Sequence, residues 1–313
     1  MKIILTLCIA LAAISNSFAQ CCSVGTPIGG TTSVGTVPIY NLRWTSFFRA
    51  SVADEYNKDG KNLGQGLVRV AKYDYIGTSF AYGITGDLTA EAELGYFVSK
   101  SQKYANDFLE GKGFSSMILS AKYNVLHSMD SKFEMTLGAG ARIPLSVDPL
   151  YVNGVALQQD IQPSPGAYGV VASLFARKWF KDSDINLFLI HRSEFSGMNN
   201  YQSPATAYRL GNTYLTSVFA SKKIYDKLSA VLQLRNEYHD KDNKTGIGIV
   251  PNSGNILFLV SPQLNYAWNT WNFSLLYDYP FYKYYNGTQL SNSYSLTFNI
   301  SGLFDLDEMI FGG

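Results

Sequence analysis

The residues that could carry out covalent or metal chemistry are few and widely spaced. The histidines are His127, His191 and His239, and none has a second ligand at the spacing of a zinc site such as H-E-x-x-H. His191 and Ser193 alone have the two-residue spacing that places a histidine and a serine on one strand face, as a lipid-facing serine hydrolase would require. One such pair does not predict an enzyme, and no P-loop or G-x-G-x-x-G follows a predicted strand. We expect neither enzymatic activity nor a cofactor.

Two other segments have residue types that bind metals. Cys21 and Cys22 could bind a soft metal or pair with another chain, but the favoured interpretation is a flexible tail with incidental cysteines. Adjacent cysteines rarely bridge each other, because a disulfide needs a particular separation of the Cα atoms. Residues 240–246 contain carboxylates in part of a calcium-loop pattern. Lys244 at the fifth position and the missing final glutamate break that pattern and favour a solvated loop.

The N-terminus has the pattern of an export signal. Met1 and Lys2 precede an apolar stretch at residues 3–13, and small residues at Ser17 and Ala19 fit cleavage after residue 19. The alternative is a lipoprotein signal with Cys21 lipidated, but Gln20 stands where a small residue should precede the cysteine. We predict a signal peptide at 1–19 and a flexible segment with the cysteine pair at 20–38. Its Gly/Ser/Thr-rich part, residues 23–36, would form a tail or a plug-like loop.

Composition excludes several classes of protein. The 313 residues include 25 basic and 24 acidic side chains, so a net charge of +1 argues against a nucleic-acid partner. An apolar fraction of 46% excludes intrinsic disorder, whereas a charged fraction of 16% is well below the roughly 25% of soluble domains. The chain also has 22 Tyr and 19 Phe. This mixture is unusual for a cytosolic enzyme.

Apolar and polar residues alternate with a period of two through most of the chain from residue 39 onward. In residues 133–143 every odd position is apolar and every even position is polar or glycine. Such alternation places side chains on opposite faces of a strand. We predict twelve strands, at residues 39–51, 66–84, 88–100, 114–126, 132–145, 166–180, 185–194, 208–224, 228–239, 254–268, 271–283 and 292–304.

The links between these strands alternate in length. Short links such as 85–87 and 269–270 alternate with long polar ones such as 146–165 and 240–253. This asymmetry is typical of bacterial outer-membrane barrels, which have short periplasmic turns and long outer loops. We predict an all-β, antiparallel up-and-down transmembrane β-barrel of about twelve strands at 39–304, followed by a tail at 305–313. A soluble β-sandwich would also have one apolar face per strand and is the alternative.

A membrane barrel needs an apolar outer face with aromatic girdles, and it permits a polar lumen. Trp44, Tyr75, Tyr238 and Trp271 are among the girdle candidates. The charged and polar residues on the opposite face, which includes Asp278, have two interpretations: a channel whose charges set selectivity, or a network of ion pairs that braces the barrel. The candidates for lining the lumen are Arg43, Arg49, Glu91, Glu93, Lys122, Glu134, Arg142, Gln233, Arg235 and Glu237.

Three stretches resemble the outer-membrane transporter-like barrels grouped with the phenol-degradation-pathway barrel proteins. They are residues 82–89 (YGITGDLT), residues 161–163 (IQP) followed by Gly166, and residues 284–290 (YYNGTQL). The resemblance implies an outer-membrane barrel that passes small solutes, and it brings no site residues with it. The cysteine pair and the residues after Phe304 depart from the family pattern.

Two functions remain open on the sequence alone. One is a channel or transporter for small solutes, with passive diffusion through a polar lumen. The other is a closed structural or partner-binding barrel without transport, whose partner would bind the N-terminal cysteine segment or the outer loops. Both place the protein in the outer membrane of a Gram-negative bacterium, in contact with its lipid.

Overall fold

A computed structural model describes residues 35–128, 130–199 and 207–306. The predicted signal peptide, Cys21 and Cys22, and residues 307–313 lie outside the described residues. Twelve long antiparallel strands make up the fold: β1 Asn41–Lys58, β2 Val70–Gly83, β3 Leu88–Lys103, β4 Phe108–Ser128, β5 Phe133–Pro144, β6 Gly169–Phe180, β7 Ile185–Ser196, β8 Thr213–Tyr225, β9 Leu228–His239, β10 Asn255–Trp268, β11 Trp271–Tyr285 and β12 Thr288–Asp305.

The sheet closes on itself. Each strand pairs with the strand before it in the chain, and β12 pairs with β1 from Asn41–Asp305 to Lys58–Thr288. Closure gives every strand two neighbours, which removes the free edges of an open sheet. The predicted up-and-down barrel of twelve strands is confirmed.

The alternation in the sequence sets which way each side chain points. In β5, Leu137 and Ala139 are exposed on the outer surface, whereas Thr136 and Arg142 are buried inside. In β9, Leu232 is exposed and Gln233 is 2% exposed. The barrel is therefore apolar outside and polar inside over most of its height, the reverse of a soluble sandwich.

The two ends of the barrel differ. The turn end holds the strand termini Asn41 and Asp305 and the short links 84–87, 181–184, 226–227 and 269–270. Asp184 and Asn269 adopt positive φ angles of 49° and 52° in these links, a left-handed conformation that Asn and Asp tolerate in tight turns. The loop end holds the long links 145–168, 197–212 and 240–254.

Two links that the sequence predicted to be long are short. β3 and β4 are joined by residues 104–107, and β11 and β12 by residues 286–287, where Gly287 takes a φ of 65°. The predicted ends at residues 100 and 283 mark where apolar alternation fades, but backbone pairing continues past that point because it does not depend on apolar side chains. β1 likewise continues to Lys58, and a short strand, Lys61–Gly64, folds back on it.

At the loop end part of the interior is apolar. Ala53, Tyr56, Tyr73 and Phe97 form a buried cluster inside the barrel. Tyr75, predicted for a girdle, also points inward and packs on Phe97 with ring centroids 4.9 Å apart. The girdle prediction for Tyr75 is therefore wrong, because this part of β2 reverses the usual polarity of the two faces.

Three short strands connect two of the loops at the loop end. Strand Tyr208–Arg209 pairs with Asn243–Lys244, which pairs with Gly248–Ile249, so the two loops 197–212 and 240–254 are joined. At the turn end, Trp44 and Trp271 lie on the outer surface and meet edge to face, with ring centroids 5.6 Å apart. None of the described residues belongs to a helix that is long and apolar enough to cross a membrane.

Candidate functional site

The lumen contains most of the buried charge of the barrel. Inward positions of the strands hold every residue that the sequence assigned to the lumen, namely Arg43, Arg49, Glu91, Glu93, Lys122, Glu134, Arg142, Gln233, Arg235 and Glu237. The structure sorts most of these charges into two networks and two further ion pairs.

The first network, here called the wall network, centres on Asp278 of β11. The Asp278 Oδ2 atom accepts from Arg49 at 3.0 Å and from Arg235 at 2.9 Å. Its Oδ1 accepts from the Ser261 hydroxyl at 2.5 Å, and Arg235 also pairs with Glu237 at 2.8 Å. Asp278 is fully buried. The network joins β9, β10, β11 and β1 along one side of the barrel.

The second network, here called the cross-lumen network, centres on Arg192 of β7. Its Nη1 lies 2.9 Å from Glu93 Oε1 and its Nε lies 2.9 Å from Glu194 Oε1. Arg142 completes the network, with Nη1 2.9 Å from Glu194 Oε2 and Nη2 donating to the Ser196 hydroxyl at 2.8 Å. Glu93 is on β3 and Arg192 on β7, four strands away around the barrel. Their contact therefore spans the bore instead of following the wall.

The two further ion pairs connect neighbouring strands nearer the turn end. Lys122 lies 2.6 Å from Glu91, and both are buried. Glu134 lies 3.1 Å from Arg177, whose side chain is 42% exposed. Arg43 has favourable charge interactions with Glu91 and Glu134. The remaining candidate, Gln233, donates to the Ser217 hydroxyl at 2.9 Å.

Sequence reasoning missed Arg192, Glu194 and Arg177. In β7 both faces mix apolar and polar residues, so alternation alone did not say which face is inward. The two-residue spacing of Arg192 and Glu194 was the available signal, because opposite charges at that spacing share one strand face.

A cavity of about 240 Å³ lies beside the cross-lumen network and reaches residues of the outer loops. Phe47, Tyr75, Glu93, Arg192 and His239 are among the residues that line it. The lining combines aromatic surface with charged groups. The cavity is large enough to hold a small solute.

The long loop 145–168 folds inward over this cavity. The Lys100 ammonium group donates to the Gln162 carbonyl at 2.8 Å, and the Gln162 side chain bonds the loop backbone at Leu150 and Leu157. The loop runs so close to β4 that a Cβ atom at Gly111 would lie 2.1 Å from the carbonyl oxygen of Ile161. This loop is therefore an ordered cover that contacts the barrel wall.

The loop 240–246, predicted to be solvated, is exposed at Lys241, Thr245 and Gly246 but is anchored by Asp242. Asp242 is 3% exposed, accepts from the Tyr208 hydroxyl at 2.5 Å and from the Gly211 amide at 2.6 Å, and so connects two loops. The described residues contain no cluster of three or more His, Cys, Asp or Glu side chains that could hold a metal ion. Cys21 and Cys22 lie outside the described residues.

The chain enters the lumen at the turn end before β1 begins. The amide of Val37 donates to the Thr89 hydroxyl at 2.8 Å, and Val37 is 1% exposed. Thr89 is an inward residue of β3, so residues 35–37 lie inside the barrel mouth. The predicted plug-like loop 23–36 ends here, but residues 23–34 are outside the described residues.

The boundary between β11 and β12 is open at the loop end. The two strands pair only from Trp271–Gly302 to Asp278–Ser295. Beyond that point side chains replace the backbone ladder: the Tyr285 hydroxyl accepts from the Asn292 amide at 3.1 Å, and the Lys283 ammonium group donates to the Ser291 hydroxyl at 3.3 Å. We call this stretch the seam.

The outer surface carries one polar cluster on β7 and β8. His191 Nε2 lies 3.0 Å from Ser193 Oγ, and His191 Nδ1 lies 2.9 Å from Thr216 Oγ1. The register pairs His191 with Thr216 directly, and the neighbouring Arg192 points into the lumen, so the cluster faces outward. His127 is at the exposed turn end of β4, and His239 contacts Thr213 at 2.9 Å beside the cavity.

No protein-family model and no curated protein matches the chain. Among solved structures, the fold is similar to an outer-membrane channel from Pseudomonas putida F1, with a TM-score of 0.71 at 11% identity, over 90% of this chain and 100% of that one. A Pseudomonas aeruginosa FadL homologue (12% identity, 85% and 90% covered) and the KdgM porin (11%, 83% and 99%) give TM-scores of 0.44 and 0.43, too low to support an argument. The first of these likenesses shows an outer-membrane-type barrel fold. The phenol-degradation grouping is not confirmed.

Proposed function

We propose that the protein is an outer-membrane channel that passes small solutes through its lumen by passive diffusion, and that the described structure is an occluded state. The fold and its likeness to an outer-membrane channel support this proposal. The carrying observation is the cross-lumen network, in which Arg192 contacts Glu93 across the bore beside a solute-sized cavity. Passage needs no bond cleavage, so we assign the lumen no catalytic role.

The charges of the cross-lumen network fit a constriction. Arg192 is shared by two carboxylates, and a passing solute could replace one partner while the other stays in place. Charged side chains at a narrow point set both the size limit and the preference of a pore. The aromatic and charged lining of the cavity would accept a solute with both apolar and polar parts.

The decisive experiment widens the constriction without changing net charge. The double variant Glu93→Ala, Arg192→Ala should raise single-channel conductance in planar bilayers several-fold, and it should speed swelling of liposomes in small sugars. The matched control, Glu134→Ala with Arg177→Ala, also removes one ion pair, but from neighbouring strands along the wall, and should leave conductance unchanged. Equal, background-level conductance in all folded proteins would refute the channel.

A closed barrel without transport is the second candidate, and the burial of the lumen charges favours it. Asp278 and Arg235 are almost inaccessible to water, and Val37 lies inside the turn-end mouth. In that case the outer loops or the segment 20–38 would bind a protein partner. Deleting residues 20–34 separates the two functions: a plugged channel gains conductance, whereas a structural barrel loses its partner and gains none.

The seam gives apolar solutes a second route under the same proposal. Between Tyr279–Tyr285 and Thr288–Tyr294 the wall is held by side chains, so it can part without breaking a backbone ladder. Joining Lys283→Cys to Ser291→Cys with a short bis-maleimide, in a background lacking Cys21 and Cys22, should block uptake of an apolar dye and preserve ion conductance. Loss of neither would show that the seam is not a route.

A further inference from the structure

We propose that His191, Ser193 and Thr216 form a hydrolytic site on the lipid-facing surface of the barrel, with Ser193 as the nucleophile and a membrane-lipid carboxylic ester as the substrate. The proposal concerns the outer surface and is independent of the lumen. It takes up a pair that the sequence alone did not support as catalytic.

The geometry supplies three groups in series. Ser193 Oγ is within hydrogen-bond reach of His191 Nε2 at 3.0 Å, and His191 Nδ1 is within reach of Thr216 Oγ1 at 2.9 Å. A nucleophile, a base and a group that orients the base are the parts of an activated serine. Both contacts are fixed by strand geometry, because Ser193 is two residues along β7 and Thr216 is the direct partner of His191 on β8.

An outward histidine is unusual in a membrane barrel. Ionisable side chains within the bilayer almost always face the interior, and those that do not are functional candidates. The other outward positions next to it on β7 are apolar, as Leu187 and Leu189 show. A purely structural role for the two hydroxyls would leave the histidine itself unexplained.

The depth of the cluster matches that of lipid esters. Ser193 is three residues from the loop end of β7, which for a strand rising about 3.3 Å per residue and tilted about 45° places it roughly 7 Å below the strand end. Phe195, Tyr214 and Tyr238 form a chain of aromatic contacts at this end, with ring centroids 6.1 and 5.8 Å apart. Such belts lie at the headgroup level, close to the acyl ester bonds.

The reaction would proceed in two balanced steps. Ser193 Oγ bonds to the ester carbonyl carbon as its proton passes to His191 Nε2, and the ester C–O bond then breaks with that proton going to the departing alcohol. Water next attacks the acyl-serine, His191 takes its proton and returns one to Ser193, and a fatty acid leaves. Thr216 accepts from His191 Nδ1–H throughout and is a positioning residue.

Ser193 itself is only 8% exposed in the isolated chain. An ester therefore has to enter between the flanking side chains of Phe195 and Tyr214 to reach Oγ. Replacing Phe195 with alanine should speed the reaction several-fold if the site is catalytic.

The test uses the full chain, folded in detergent and checked by heat-modifiable gel migration. A fluorophosphonate probe should label the wild type at Ser193, identified by mass spectrometry, and mixed micelles of phosphatidylcholine should release fatty acid. Ser193→Ala and His191→Phe should abolish both signals. Ser46→Ala, which removes an outward hydroxyl bonded to a backbone carbonyl, is the matched control and should leave both intact.

Substitutions of Thr216 give a further test, because a purely structural role of Thr216 would not produce the expected change in kcat. Thr216→Val should lower kcat by tenfold or more with little change in KM, and Thr216→Asn, which can still accept from Nδ1, should restore it. Absence of labelling and of fatty-acid release in the folded wild type would overturn the proposal. Labelling of a serine other than Ser193, or release that persists in Ser193→Ala, would overturn it equally.

Discussion

The two boundaries of β12 are held together in different ways. On one side β12 pairs with β1 along almost its whole length, from Asn41–Asp305 to Lys58–Thr288. On the other side it pairs with β11 only as far as Asp278–Ser295, although a two-residue turn joins these strands. The backbone pairing between β1 and β12 is therefore more extensive than the pairing between β11 and β12.

The difference teaches that closeness in sequence does not decide how tightly two strands of this barrel are joined. Pro280 in β11 has no N–H to give to a ladder, and Lys283 and Tyr285 supply side-chain contacts where the ladder is missing. The wall network lies at the point where this pairing stops, since Asp278 is the last residue of β11 that pairs with β12. Buried charge therefore stabilises the place where backbone pairing ends.

The largest expected effect follows from removing the centre of the wall network. Asp278→Ala leaves Arg49 and Arg235 buried without their shared carboxylate, which costs roughly 3–5 kcal/mol for an unpaired buried charge. The midpoint of urea unfolding, followed by gel migration in detergent, measures it. Glu134→Ala is the control: its partner Arg177 is half exposed, so the change should stay below about 1 kcal/mol. Equal shifts for both variants would show that the wall network does not hold this boundary.

A smaller effect is expected from removing one side-chain contact of the seam. Tyr285→Phe deprives the Asn292 amide of its acceptor and should cost about 1–3 kcal/mol, the usual range for an unsatisfied buried donor. Amide exchange of residues 288–294 should speed up at the same time. Thr89→Val removes a similar buried hydroxyl acceptor, bonded to the Val37 amide at the turn end, and should leave exchange in the seam unchanged. If both variants changed the seam alike, the local role of Tyr285 would be excluded.

The smallest effect is expected at Lys283. Its contacts to Ser291 and to the Asn292 carbonyl are long, at 3.3 and 3.4 Å, and its pair with Glu55 measures 3.8 Å at a partly exposed site. Lys283→Met should therefore change stability by less than about 1 kcal/mol. Hydrogen exchange of the wild type tests the same comparison without a substitution. Amides of β12 near the turn end, where β12 pairs with both β1 and β11, should exchange more slowly than amides of residues 288–294, where it pairs with β1 alone.

The lumen shows which inward residues the alternation of apolar and polar positions can predict. Residues 133–143 alternate so regularly that Glu134 and Arg142 could be assigned to the inner face without a structure. In β7 neither face is cleanly apolar, so Arg192 and Glu194 were missed although they form the cross-lumen network. Tyr75 was misassigned because, at the loop end, Tyr75 joins Tyr73 and Phe97 in apolar packing inside the barrel, which a single strand pattern does not reveal.

The sequence by itself determined the class of fold, since period-two alternation with mostly apolar outer faces, few charges and short turns on one side leaves few stable arrangements besides a closed barrel. Only the tertiary structure decided which charges meet. Arg192 and Glu93 are 99 residues apart, and their contact depends on the diameter and stagger of the closed sheet, which no local pattern encodes. The same holds for the seam, because strand pairing reflects competition among neighbours around the whole barrel.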